Sequence, residues 1–598
     1  MTLDKTPFPF QVVNKTVLIS LIVALFYILT GCGQVSKASY TPTTSAIYPS
    51  TLVVNQSNIK TEDNQLFMIQ GIALPNGVYT KTTIQSAKDS GYLLGLNDYI
   101  NIKEMGLNTV RFYLQYNWLD NDSEIDSFTS ILDEQIELAR SQGLYIILSL
   151  HYFGVSPGGF YNGSGGYDCV SFWQRIVTRY KDNKIISGYD ILNEPKVSDT
   201  FTEQQLYLLY DSIINAIRSS NDAHIIFVSD PVNKFDDVEY SNDKSQALQS
   251  YYLNSDAFQL INSDNNIVYE YHWYKPSEFT HQCFPYNDYF ELGATYPYLK
   301  NNEQYQGGWY SDSQIGNTND LWVKYSGQWV DASSLKSASA THFGICLLFG
   351  GSDGQIWFDN ITINYRLKSD HSVVNQLSLK NHNIKWPTRY LNGNINTPSD
   401  MPANWSTSVH PSNSSDVVFR YDPQVSYLAD NSGSLNSDTQ TTSWVAGSYA
   451  AWKSAEGRNG QVFEIDSNYE YQIVFMTKST GLSSSKISAG FEWYTVNPVD
   501  YNAAYIQNAI QSYYQQWGQQ KLAPIYCGEF GVANPGQSIS GYPNSPGEQV
   551  QWINNIKTIL NNAGHHWTYH DYKDFSTLGF GLFDSDANIM LRQAVQNN

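Results

Sequence analysis

The feature that most constrains this chain of 598 residues is a succession of short apolar segments that alternate with helical patterns. Most of these segments are almost continuously apolar, as parallel strands covered on both faces are. Eight strand–helix units predict an α/β fold, a closed (β/α)8 TIM barrel. A doubly wound open sheet is the alternative, although no glycine-rich phosphate-binding motif follows the first segment. The eight segments are LFMIQGIAL (66–74), LNTVRFYL (107–114), LYIILSLHY (144–152), ISGYDILNE (186–194), HIIFVSD (224–230), NIVYEYHWY (266–274), APIYCGEFGV (523–532) and HHWTYHDY (565–572).

Amphipathic helices are predicted between these strands. Apolar residues recur at spacings of three and four from Ile125 to Ala139, which places them on one helical face. The same spacing predicts helices in 170–180, 202–220, 504–519 and 547–562.

The barrel pattern is interrupted between its sixth and seventh strands. Residues 291–498 contain short alternating runs such as GQIWFDNITI (354–363), separated by turns rich in Ser, Asn and Gly. This pattern predicts an inserted all-β sandwich, jelly-roll-like in its succession of strands. The predicted domains are a targeting segment (1–31), a flexible tether (32–60), the first part of the barrel (61–290), the sandwich (291–498) and the second part of the barrel (499–598).

Composition excludes some partners. The net charge is −21, which argues against nucleic acid and against a polybasic mode of membrane binding. The 45 Tyr and 15 Trp suit ligands with flat apolar faces and polar edges, such as sugars. No CxxC pair or His/Cys cluster has metal-site spacing, so we expect neither metal nor cofactor. Disulfide pairing cannot be read from the sequence of an exported protein, and four cysteines could take part: Cys169, Cys283, Cys346 and Cys527.

The N-terminus has the features of an export signal. Lys5 and Lys15 precede an apolar run from Val17 to Leu29 that is too short for a typical membrane span. The run ends in Leu-Thr-Gly-Cys, which resembles the bacterial lipobox, in which the cysteine is lipidated after cleavage. An ordinary signal peptide or a short anchor helix is the alternative. We therefore expect Cys32 to anchor the protein to the bacterial cell envelope, at the outer membrane or cell surface, unless the chain is secreted.

Two glutamates follow buried strand segments. Asn193 and Glu194 end the fourth segment, and Pro195 stops it. Glu529 lies at the end of the seventh, in IYCGEFG. Catalytic groups of TIM barrels lie at the carboxyl ends of strands, and glycoside cleavage needs two carboxyl groups facing each other there. Alternatively, Glu194 caps a helix and Glu529 is a surface loop residue; the pairing on strands four and seven favours catalysis.

Polar residues also lie near the ends of other strands. Arg111 is in the second strand, His151 ends the third, and His272 and Tyr274 end the sixth. Each could be structural, since a buried Arg can pair with an acid and a strand His is often a core residue. Polar groups in apolar strands cost free energy unless they are paired or used, so their shared position favours a site.

This arrangement resembles glycoside hydrolase family 5, a large family of retaining (β/α)8 glycanases that includes cellulases. The resemblance covers about 61–290 and 499–598, and its most specific motifs are ISGYDILNEP and the Gly-Glu pair of the seventh strand. It implies that Glu194 is the acid/base and Glu529 the nucleophile, with retention of anomeric configuration.

The resemblance also implies supporting roles. Asn193 would hydrogen-bond the sugar 2-hydroxyl, Arg111 and Tyr274 would keep Glu529 ionised, and His151 and His272 would line the same subsite. The family usually carries a Trp on the eighth strand as a sugar platform. Here His570 takes that position and Trp567 lies three residues earlier, which leaves the substrate class open.

The resemblance implies an enzyme that hydrolyses a β-linked polysaccharide. An endo-acting β-1,4-glucanase is the first expectation, and a β-mannanase or β-1,3-glucanase is the alternative. An inactive barrel that binds surface glycans, or an adhesin acting through the sandwich, are alternatives of other classes, because a fold does not settle a function. The sandwich resembles a sugar-binding jelly-roll module whose two halves stand in reversed order. We expect a monomer.

Overall fold

The computed structural model of the protein describes most of the chain from residue 50 onward. None of the helices in these residues is long and apolar enough to cross a membrane. The predicted targeting segment with Cys32, and also Cys283, lie outside them. The described residues are 50–75, 78, 81–119, 125–151, 169–195, 201–229, 264–281, 295–350, 354–379, 382, 384, 405–410, 417–422, 424–428, 434–439, 449–455, 461–482, 486–515, 518–519, 522–533, 547–574, 579–583 and 589–597.

The first part of the chain forms a small antiparallel sheet and then alternating strands and helices. The small sheet consists of β1 (Leu52–Asn55), β2 (Asn58–Thr61) and β3 (Leu66–Phe67). The alternating elements are β4 (Gln70–Ala73), α1 (Ile84–Asp89), α2 (Leu96–Glu104), β5 (Thr109–Gln115), a 3-10 turn (Tyr116–Leu119), α3 (Ile125–Ser141), β6 (Tyr145–His151), α4 (Cys169–Tyr180), β7 (Ile186–Asp190), α5 (Glu203–Ser219), β8 (Ile225–Ser229), β9 (Ile267–Trp273) and α6 (Ser277–Thr280).

In the described residues of the middle of the chain nearly all the elements are strands, and the last part returns to alternating strands and helices. The middle elements are β10 (Tyr298–Tyr310), β11 (Val323–Ser326), α7 (Ala332–Leu335), β12 (His342–Gly350), β13 (Gly354–Leu367), β14 (Asn375–Leu377), β15 (Ser406–His410), β16 (Val417–Asp422), β17 (Ser434–Thr439), β18 (Tyr449–Lys453), β19 (Phe463–Glu464), β20 (Tyr469–Thr480) and β21 (Lys486–Tyr501). The last are α8 (Ala503–Ile510), a π-helical turn (Gln511–Gln515), β22 (Ile525–Phe530), α9 (Gly547–Ala563), β23 (His566–Tyr569) and α10 (Ile589–Val595).

Eight parallel strands close into a barrel in the order β22-β23-β4-β5-β6-β7-β8-β9, which confirms the predicted fold class. All eight barrel strands are shorter than the segments predicted for them, and two of these differences affect the position of the site. The segment 66–74 is divided, because Leu66 and Phe67 pair with β2 and the barrel strand begins only at Gln70. β7 ends at Asp190, so Asn193 and Glu194 lie beyond its carboxyl end.

The base of the barrel, at the amino ends of the strands, is closed by apolar side chains. Leu52 and Ile59 of the small sheet pack there against Tyr145, Ile225 and other strand residues. This closure excludes water from one end of the barrel. The opposite end, at the carboxyl ends of the strands, is where active sites of TIM barrels lie.

The inserted β-structure is a sandwich, as predicted. One six-stranded sheet has the order β10-β21-β12-β18-β15, with β19 beside β12, and the other has the order β11-β20-β13-β17-β16, with β14 beside β13. The inward residues of both sheets, such as Phe343, Phe358, Phe475 and Phe491, form one core. A single shared core distinguishes a sandwich from two independent small sheets.

Candidate active site

A buried arginine connects three strands at the barrel mouth. Arg111 of β5 is fully buried, and its Nη1 donates a hydrogen bond to Oε1 of Glu529 on β22. Its Nη2 donates to Oδ2 of Asp190 (2.7 Å) and to Oδ1 of Asn193 (2.7 Å). A guanidinium with several donors in a rigid plane fixes the positions of all three partners.

Glu529 is held as a buried carboxylate. The Tyr274 hydroxyl donates to its Oε2 at 2.8 Å, and His272 Nδ1 lies 3.6 Å from the same oxygen. Burial raises the pKa of Glu529, but the nearby charges of His272, His570 and Arg111 outweigh it and keep this pKa well below its usual range. Glu529 is therefore ionised at neutral pH.

Glu194 faces Glu529 in a different environment. Its side chain is 39% exposed, and its backbone has a φ of 44°, a sparsely populated conformation of the kind that clusters at functional sites. His272 Nδ1 lies 2.8 Å from its Oε1. One oxygen of each glutamate and one nitrogen of His272 lie within 4.8 Å of one another. Carboxyl groups about 5 Å apart are typical of retaining glycosidases, whereas inverting enzymes have a wider separation.

The same three residues could ligate a cation by distance alone. His272, however, also has its Nε2 3.3 Å from Oε1 of Glu270, so both ring nitrogens face carboxylates. Burial lowers the pKa of His272, but Glu529, Glu194 and Glu270 outweigh it and raise this pKa to about 10. A protonated imidazole repels a cation, and the arrangement favours proton chemistry over metal binding.

His570 lies in the site where a Trp would otherwise be expected. Its Nδ1 is 2.7 Å from the Tyr113 hydroxyl and 4.0 Å from Oε2 of Glu529. His151 packs against the same tyrosine, with its ring centroid 4.3 Å from that of Tyr113. Trp567 is fully buried against Phe530, outside the site. The side chains around Glu529 thus include three histidines instead of an indole platform.

Three residues near the site were not predicted from the sequence: Tyr113, Asp190 and Glu270. Asp190 and Glu270 are fully buried and both contact Arg111. Burial and Glu270 raise the pKa of Asp190 to about 7, against the opposing effect of Arg111. Glu270 had a detectable signal, because it lies two residues before His272 and so faces the same side of the strand.

Part of the chain is similar in sequence to known glycosidases. The family model for Cellulase (glycosyl hydrolase family 5) matches residues 96–343, which include Glu194 but not Glu529. Cellodextrinase A of Ruminococcus flavefaciens is 28% identical over 31% of this chain and 53% of its own length. Glucan 1,3-beta-glucosidase of Kluyveromyces lactis is 32% identical over 23% of this chain and 38% of its own length. The chain thus spans about half or less of these relatives.

Among solved structures, Thermotoga maritima Cel5A in complex with cellobiose has a TM-score of 0.40 and 13% identity over 88% of this chain and 97% of that chain. The family match and the curated glycosidases support a glycoside hydrolase of family 5 as the class of the barrel domain.

Proposed function

We propose that this protein is a retaining glycoside hydrolase that cleaves β-linked polysaccharide, with Glu529 as nucleophile and Glu194 as acid/base. The observation that carries the proposal is the pair of facing glutamates, with oxygens within 4.8 Å, in unequal environments. Glu529 is buried and hydrogen-bonded to Arg111 and Tyr274, whereas the Glu194 side chain is partly exposed. Unequal environments of two carboxyl groups assign the acid and the nucleophile.

In the first step, a carboxylate oxygen of Glu529 attacks the anomeric carbon while Glu194 gives its proton to the departing glycosidic oxygen. The C–O bond to the leaving group breaks and an ester to Glu529 forms. Glu194, now a carboxylate, then takes a proton from water, whose oxygen attacks the same carbon and releases Glu529. Two inversions give net retention.

The neighbouring residues support these steps. Because Asn193 Oδ1 accepts from Arg111, its amide group is fixed and its NH2 is the donor available to the sugar 2-hydroxyl. His151 and His570 line the subsite beside Glu529. Burial lowers the pKa of His151 well below its usual range, so it enters the subsite as a neutral imidazole.

The experiment that tests the proposal is hydrolysis of a panel of β-1,4-glucan, β-mannan and β-1,3-glucan, with the first-formed anomer followed by NMR. We expect β-1,4-glucan to be cleaved with retention at internal bonds. If only mannan or only β-1,3-glucan is cleaved, the proposed substrate is wrong and the proposed mechanism stands. An inverted first product, or no hydrolysis of any β-glycan, would refute the proposal.

The sandwich is proposed to bind the same polysaccharide. On the outer face of the sheet that contains β10 and β21, Tyr305 is 49% and Tyr310 37% exposed. Beneath them, Lys453 and Glu492 form a buried ion pair at 3.1 Å. Tyrosine rings above paired polar groups offer the stacking and hydrogen bonding that a neutral sugar chain requires.

This second role has its own test. In affinity electrophoresis with soluble β-glucan, the Glu529→Gln protein should be retarded, and adding Tyr305→Ala and Tyr310→Ala should reduce the retardation to what the barrel alone produces. Tyr427→Ala is the matched control, since Tyr427 is 42% exposed elsewhere in the sandwich region. Equal retardation of all variants would place binding in the barrel alone.

The location is proposed from the N-terminal sequence alone. We propose that Cys32 is lipidated and anchors the chain to the bacterial envelope, with residues 1–31 removed. Mass spectrometry of the membrane fraction would reveal the lipidated N-terminus, and Cys32→Ala should release the protein. A secreted chain with an unmodified N-terminus would contradict this.

A further inference from the structure

An unexpected carboxylate lies inside the barrel directly below the candidate site. Glu270 of β9 is fully buried, in an interior that TIM barrels usually fill with apolar side chains. Its Oε1 lies 3.3 Å from His272 Nε2 and 3.3 Å from Arg111 Nη2. Its Oε2 is buried without a hydrogen-bond partner. A buried carboxylate with one oxygen unpaired is costly, so its presence here calls for a role.

The neighbouring strand leaves room for this carboxylate. A Cβ atom built on Gly528 of β22 would lie 1.7 Å from Oε1 of Glu270. The register between β22 and β9 also shifts between Cys527 and Glu529. The side chain of Glu270 thus occupies the space that a larger residue at position 528 would fill. The absence of a side chain at Gly528 therefore makes space for the Glu270 carboxylate.

The position of Glu270 determines where protons lie on His272. A neutral imidazole carries one N–H and can satisfy one carboxylate as a donor. With Glu270 at Nε2, that nitrogen keeps its hydrogen in both the neutral and the charged ring. Only the proton at Nδ1 can then be exchanged, and Nδ1 lies 2.8 Å from Oε1 of Glu194.

We propose that Glu270 is a positioning residue for the acid/base step: it holds a proton on His272 Nε2, so that Nδ1 exchanges one proton solely with Glu194. In this exchange the Glu194 carboxyl and the neutral ring convert to the Glu194 carboxylate and the imidazolium. This inference rests on the proposed function of Glu194. The charged or titratable groups that face or act on His272 are Glu194, Glu270, Glu529, Arg111, His151 and His570.

The test compares leaving groups in Glu270→Gln, which keeps the shape and loses the charge. The quantity is kcat/KM for aryl β-cellobiosides, which reports the first step. We expect it to fall about tenfold or more for a phenyl leaving group, which needs protonation, and much less for dinitrophenyl, which does not. Removal of the negative charge also makes the shared proton easier to lose, so the alkaline limb of the pH profile should move to lower pH.

Gly528→Ala provides a second variant, because it displaces the Glu270 carboxylate without changing its charge. It should reproduce the same leaving-group dependence. The matched control is Asp222→Asn, at a buried carboxylate that lies 2.8 Å from His224 Nδ1, outside the site. Asp222→Asn should lower the melting temperature and leave both the leaving-group dependence and the pH profile unchanged.

The outcomes separate the two proposals. If wild-type protein hydrolyses neither the polysaccharides of the panel nor any aryl β-glycoside, the proposed function fails. If it cleaves only polysaccharide, an alkaline limb of the pH profile that Glu270→Gln leaves unchanged on that polysaccharide overturns the inference. If wild-type protein is active and the Glu270→Gln enzyme loses the same factor with phenyl and dinitrophenyl substrates at an unchanged pH profile, Glu270 is only structural and the inference is overturned.

Discussion

Two buried histidines, His272 at the mouth of the barrel and His566 at its base, have pKa values shifted in opposite directions. At the mouth, His272 has its pKa raised to about 10, because three carboxylates outweigh its burial. At the base, burial and the neighbouring His565 lower the pKa of His566 to about 3. There Nδ1 of His566 accepts a hydrogen bond from the Ile69 backbone N–H at 3.0 Å. Burial is common to both ends, so the difference lies in the acids that face each ring.

The base of the barrel contributes to stability, whereas the mouth carries the groups suited to chemistry. The base combines a neutral histidine with apolar closure by the small N-terminal sheet. The mouth concentrates Asp190, Glu270 and Glu529 around a single arginine. Such an accumulation of buried acids is unfavourable for folding, and it is the kind of arrangement that shifts pKa values at catalytic sites.

The largest expected effect is at the mouth. Glu529→Gln and Glu194→Gln should each lower kcat by about 10³-fold or more, since each removes a group that forms or breaks bonds. Circular dichroism should show the fold unchanged. Glu134→Gln is the control, because Glu134 is exposed and pairs with Lys88 on the surface. Wild-type activity in either active-site variant would contradict the assignment.

A second large effect should come from Arg111→Met. Removing the cation leaves three buried acids unbalanced, and breaking a buried ion pair typically costs about 3–5 kcal/mol. We expect a loss of that size in the free energy of unfolding measured with urea. Arg179→Met is the comparison, because its pair with Asp133 is only partly buried and should contribute about 1 kcal/mol or less. Equal losses of unfolding free energy in the two variants would show that the buried ion pairs of Arg111 stabilise the fold no more than the partly buried pair of Arg179.

The base should respond to acid. His566 titrates near 6.5 when unfolded and near 3 when folded, so the unfolded chain binds more protons between these values. Stability contributed by neutral His566 is present above pH 6.5 and is lost as pH falls toward 3. From pH 7 to 5 the loss is about 1–2 kcal/mol. His566→Asn, which keeps an acceptor for Ile69, should flatten this dependence in urea unfolding; an unchanged slope would count against it.

The smallest expected effect is that of Tyr113→Phe. It removes the hydroxyl that contacts His570 and keeps the ring that lies against His151. Loss of one buried hydrogen bond of about 1 kcal/mol corresponds to roughly a fivefold fall in kcat/KM. Tyr99→Phe is the control, since its hydroxyl donates to Gln135 away from the site. A similar fall in both variants would indicate a general loss of stability.

The sequence predicted the barrel because its eight strands are nearly continuous apolar runs, a local property. The sequence also predicted Arg111, Asn193 and Glu529 as site residues, because polar residues stand out in or just after apolar strands. It missed Asp190, whose significance depends on a contact with Arg111 on a strand distant along the chain. It also missed Glu270, although alternation along β9 places Glu270 on the same side of the strand as His272. The positive φ of Glu194 could not be anticipated either, because tertiary packing imposes it.

The sandwich is joined to the barrel by adjacent ends. Tyr298 at the start of β10 pairs directly with Tyr501 at the end of β21. The chain therefore leaves the barrel and returns to it at almost the same point. For protein engineering, a short turn could therefore replace residues 298–501 without displacing the barrel elements on either side. Another domain whose termini are adjacent could be inserted at the same place.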